Sequence, residues 1–118
     1  MIQADQIVFK AKDGGSVIML YLRICFDKPG MGAMRNELRM QHREYLKPYL
    51  EPGRPVRILQ AGPMCMSDTD DTNLGSFLIL EADSLAAVEQ FHTGDPFTTA
   101  GIYGDVRLVR WDRHIQNA

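Results

Sequence analysis

Between residues 17 and 26 apolar side chains fill both alternating sets of a strand. Ile18, Leu20, Leu22, Ile24 and Phe26 form one set, and Val17, Met19, Tyr21 and Cys25 the other. A strand apolar on both faces is expected to be covered on both faces. Upstream, Gln6 to Ala11 has a short strand-like pattern and Lys12-Asp13-Gly14-Gly15 a turn signal. After the break at Lys28-Pro29-Gly30 the period lengthens. Met34, Leu38, Tyr45 and Tyr49, with Leu46 and Leu50 beside them, make the stripe of a helix over residues 34 to 50. Pro48 strains its last turn and Pro52-Gly53 stops it.

Val56 to Ala61 reads as a second strand, ended by Gly62-Pro63. Residues 67 to 75, polar and acidic, read as a loop. Ser76 to Ala82 is a third strand. Ser84 is a good N-cap for a second helix, Leu85 to His92, which turns Leu85, Val88 and Phe91 inward. Asp95-Pro96-Phe97 opens a short turn, Val106 to Trp111 is the last strand, and residues 113 to 118 are a polar tail.

The order is β-α-β-β-α-β, the ferredoxin-like split βαβ arrangement of the α+β class. It sets two helices on one face of a four-stranded antiparallel sheet and leaves the other face bare. Since the strands are apolar on both faces, a second copy stacked sheet against sheet is the simplest cover, with Met19 taken as a residue of the bare face. The expected division is an N-terminal extension over residues 1 to 16, one domain over 17 to 112, and the tail.

Composition narrows the function classes. At 118 residues the chain has the size of one domain. Its formal net charge of −2 gives no general pull toward nucleic acid or an anionic membrane. No apolar run is long enough to span a bilayer, and the first residues do not read as a secretion signal, so a cytoplasmic location is the default. Cys25 and Cys65 form no CxxC pattern and read as small buried hydrophobes.

The chemistry-bearing anomaly is His42, which falls inside the apolar stripe of the first helix. Arg39 and Arg35 lie three and seven positions before it, on nearly the same side. Alone, His42 also reads as a satisfied core histidine, and Asp95, directly before a proline, as a helix cap. Asp68, Asp70 and Asp71 lack the full calcium-loop pattern and read as solvated.

Several segments together resemble the YciI family of YCII-related domains: Arg39-Met-Gln-His42, Gln60-Ala-Gly62-Pro63-Met64, Gly75-Ser76 leading to Ile79-Leu-Glu81, Ser84-Leu-Ala-Ala, and above all Asp95-Pro96-Phe97-Thr-Thr-Ala100-Gly101-Ile102-Tyr103. The resemblance implies a homodimeric α+β barrel and a His–Asp dyad, carried here by His42 and Asp95, with no cofactor and no metal. It also implies a cofactor-independent lyase or isomerase, one branch being dehydrochlorinases of chlorinated hydroxyhydroquinones. The expected substrate is a small aromatic or enol-containing anion. Arg39 and Arg35 would bind it, and the backbone at Gly62 would allow its close approach. The alternative is a non-catalytic dimer that binds a small ligand in the same pocket.

Overall fold

The computed structural model describes residues 18–117. The strand-like stretch before residue 12, its turn and Val17 lie outside the described residues. Strand β1 spans Met19–Asp27, helix α1 Gly32–Leu46 with a 3-10 turn at Lys47–Leu50, and β2 Val56–Ser67. Strand β3 spans Asp70–Ala82, helix α2 Leu85–Gly94, the single turn α3 Pro96–Thr99, and β4 Tyr103–Trp111. The sheet is antiparallel with strand order β2-β3-β1-β4, so the first and third strands are central. This is the α+β arrangement expected from the order of elements.

Local chemistry accounts for the element ends. Pro48 sits in the first turn of the 3-10 segment, where its missing N–H is no loss, and so the α-helix stops short of residue 50. The Ser84 side chain accepts the Ala87 N–H at 3.2 Å and starts α2. Gly75 pairs with Phe26 across the two central strands. A Cβ there would overlap the Cys25 carbonyl, so β1 and β3 approach as they do only because position 75 has no side chain.

Three expectations are corrected. Gly62-Pro63 does not end the second strand, and residues 67 to 75 are not a loop. β2 and β3 run on as a long hairpin that turns at Asp68-Thr69, with Ser67 opposite Asp70. Pro63 is tolerated because β2 is an edge strand. Its polar outer half is held by backbone pairing, which leaves no hydrophobic signature. Second, Met19 belongs to the helix-covered side. Met19 and Tyr21 join Val56, Ile58, Leu78, Leu80, Val88 and Phe91 in the main core, and Cys25 packs with Phe97, Ile102 and Tyr103. The other face carries Leu20 and Ile79, both buried, Leu22, Ile24, Phe26 and Phe77, all half-buried, and Val109, which is 43% exposed. Third, Cys65 is exposed on the outer hairpin, whereas Cys25 is buried as expected.

Candidate active site

Helix α1 carries His42 over the sheet, and the turn between α2 and α3 brings Asp95 beneath it. Asp95 is fully buried, and its carboxylate is held by three donors. Oδ1 accepts from His42 Nδ1 at 2.7 Å and from the Phe97 backbone N–H at 3.0 Å. Oδ2 accepts from an Arg23 guanidinium N–H at 2.8 Å. Asp95 is thus both the cap of the Pro96 turn and the partner of the histidine, where the sequence offered these roles as rivals. Burial pushes the Asp95 carboxyl up, but the His42 hydrogen bond and the Arg23 charge outweigh it and hold the group below the usual range. An ionised carboxylate only accepts, so the neutral His42 carries its proton on Nδ1 and keeps a free lone pair on Nε2.

The imidazole is also fixed in plane. It stacks on Phe97, with centroids 3.9 Å apart and ring planes 4° from parallel. Its side chain keeps 14% exposure where it reaches the protein surface. There it borders a cleft of about 330 Å³ between α1 and the β2–β3 hairpin, lined by Arg39, Arg43, Leu46, Gly62, Ser76 and Phe97 among others. Arg39 and Arg43 are exposed and make no ion pair among the described residues. Among the described lining residues there is no carboxylate, so the cleft is cationic with one titratable ring.

The anticipated binding residues differ in availability. Arg39 lines the cleft freely. Arg35 borders it too but is buried and committed elsewhere. Its Nε and NH2 grip Asp27 at 2.6 and 2.9 Å, and NH2 also reaches Ser76 Oγ at 3.1 Å. Its guanidinium lies 5.0 Å from the centroid of Phe97, the ring that carries His42. Gly62 lies on the cleft wall with open space around it: a Cβ would meet no protein atom within 4 Å. Nothing in the chain's own packing requires glycine there.

Two residues escaped the sequence reading. Arg43 belongs to the cleft through its place beside His42. Arg23 is the buried partner of Asp95, and its signal was the lone charge in an otherwise apolar strand. A second cleft of about 680 Å³ adjoins the first, sharing Arg39 and Asn73, and reaches Met31, Met66 and the acidic stretch at Asp71. It does not include the dyad. Among the described residues no cluster of His, Cys, Asp and Glu could hold a metal ion, and no helix is long and apolar enough to cross a membrane.

Known proteins resemble this chain over the same region. Protein YciI of Escherichia coli O6:H1 is 34% identical over 94 residues, which cover 76% of this chain and 93% of that protein. Protein YciI of Shigella flexneri matches equally. Among solved structures, the 5-chloro-2-hydroxyhydroquinone dehydrochlorinase of Burkholderia phenoliruptrix, in complex with 2,5-dihydroxybenzoquinone, is 35% identical with a TM-score of 0.70, covering 81% of this chain and 96% of that one. A Pseudomonas aeruginosa protein, 16% identical with a TM-score of 0.51 over 86% of this chain and all of its own, shares the fold. The YCII-related domain profile matches residues 19–112, and the chain belongs to that family.

Proposed function

We propose that this protein is a cofactor-independent lyase or isomerase of the dehydrochlorinase type, acting on a small aromatic or enol-containing anion. The observation that carries the reading is the His42–Asp95 pair. The buried carboxylate fixes the Nδ1–H tautomer, and the opposite nitrogen of this cleft-lining ring acts as the base. Arg39, with Arg43 beside it, binds the phenolate or carboxylate and stabilises negative charge as the proton leaves. Arg35 acts behind them, since Asp27 already holds it. In an elimination, Nε2 takes the proton and the electron pair left behind expels the leaving group. The imidazolium then returns its proton to water. No external oxidant or reductant enters the balance. Gly62 admits a flat ring close to the hairpin backbone.

The protein works as a homodimer through the open sheet face, supported by the unpaired apolar residues Leu22, Ile24, Phe77 and Val109 there. One observation favours the non-catalytic alternative: among the described lining residues, His42 is the cleft's only acid/base. A single histidine can both take and return a proton, so we retain the enzymatic reading.

The test uses the ligand and substrate of the structural relative. 2,5-Dihydroxybenzoquinone should raise the melting temperature of wild type and of His42→Gln, but less so for Arg39→Ala. Chloride release from 5-chloro-2-hydroxyhydroquinone should be seen with wild type and fall by about 10²–10⁴-fold in His42→Gln. Binding without any release in wild type would select the ligand-binding alternative.

A further inference from the structure

A guanidinium without solvent contact lies behind the dyad. Arg23 projects from the middle of β1 on the helix-covered face and is fully buried. Its NH2 donates to Asp95 Oδ2 at 2.8 Å and to Thr98 Oγ1 at 3.3 Å. Nε and NH1 meet no acceptor among the described residues. Instead the rings of Phe91 and Tyr103 flank the group, each centroid 5.3 Å from Cζ. Burying a charge pair in this way is a poor means of holding a fold together, because lost hydration rivals the Coulomb gain unless every donor is met. A pair of apolar side chains in the places of Arg23 and Asp95 would fill the same space at no greater cost. The role of Arg23 therefore lies in what it does to Asp95.

We propose that Arg23 is a positioning residue for His42 and acts through Asp95: it fixes the carboxylate with Oδ1 toward Nδ1, and it offsets the carboxylate charge that would otherwise draw a second proton onto the imidazole. This rests on the reading of His42 as the proton-transfer group. Without Arg23, a buried carboxylate beside an imidazole would be neutralised by an imidazolium, and the base would be occupied.

The surroundings leave that charge count simple. Asp95 meets His42 from α1, Arg23 from β1 and the Phe97 N–H from α3. Arg23 meets Tyr103 from β4, Cys25 from its own strand and His92 from α2. Burial pushes Tyr103 up to about 12 and raises the Cys25 thiol, so both stay neutral. Burial, and then the Arg23 charge, disfavour a proton on His92. His42 further sees Arg35, Arg39 and Arg43 from its own helix, and Arg35 is balanced by Asp27. Arg23 is the counter-charge that Asp95 has independently of its histidine.

Nitrogen-15 NMR of the imidazole rings tests this directly. In wild type well above neutral pH, His42 should show one protonated nitrogen, Nδ1, and one bare nitrogen, Nε2. In Arg23→Gln, the pH at which the doubly protonated signature appears should rise by about one pH unit or more. The acid limb of the chloride-release profile should move with it. Arg23→Met, which matches the apolar surroundings, carries the same expectation should the glutamine variant not fold. Arg23→Lys, which keeps the charge, should return the midpoint toward wild type. Equal midpoints in wild type and the neutral variants would overturn the proposal even in an active enzyme. A shifted midpoint in a protein that releases no chloride would support it while removing the catalytic reading, so the two failures are separable.

Discussion

Asp95 concentrates the energetics of the site in one side chain. Asp95→Asn would keep the size but leave Arg23 buried beside a neutral amide, and breaking such a pair typically costs about 3–5 kcal/mol. Urea unfolding at neutral pH should show a loss on that scale, and chloride release should fall with it. The wild-type carboxyl is held below its ordinary range, so the folded state releases its proton more readily than the unfolded state. Its stabilising contribution is therefore complete above about pH 5 and disappears as pH falls through the folded value. The gap in stability between wild type and Asp95→Asn should narrow steadily from about pH 5 downward. A gap of constant width across an acid titration would mean that the carboxylate charge is not what holds this corner.

At the scale of elements, the period of the chain carried much of the fold and missed what the period cannot express. Both helices and four strands were legible because apolar spacing of two or of three to four marks them. The outer hairpin was not, because Asp70, Asp71, Thr72 and Asn73 are polar and carry no apolar alternation that would mark a strand. The face of β1 was misjudged because both of its sets are apolar, and Arg23 in the inner set would have pointed that set outward. His42 was legible as a polar residue inside a stripe, and Asp95 as a cap. That they meet, 53 positions apart, is a tertiary fact that no local pattern holds. Gly75 shows the reverse case, a position fixed by contact. Gly75→Ala would drive a methyl into the Cys25 carbonyl and pry β1 from β3. Its cost should reach about 2–3 kcal/mol or more in denaturant unfolding. Gly62→Ala, facing open space, should leave stability near wild type while weakening quinone binding.

For the whole molecule, the sheet face opposite the helices carries the test of the proposed dimer. Ile24 sits between Phe77 and Arg107 on that face, away from both cores. Ile24→Asp should convert a dimer to a monomer or to insoluble protein, read by light scattering at micromolar concentration. A wild-type protein that is folded and monomeric there would remove the dimer. The three groups of the site come from distant parts of the chain, with Arg23 and Asp95 separated by 72 positions. No hairpin or single helix contains even two of them, so the arrangement forms only once distant parts of the chain have met. Closing such long loops is the slow part of assembling a chain. On refolding from urea, helical signal should return first and quinone binding only in the final phase, which makes ligand capture a clock for the last contacts of the fold.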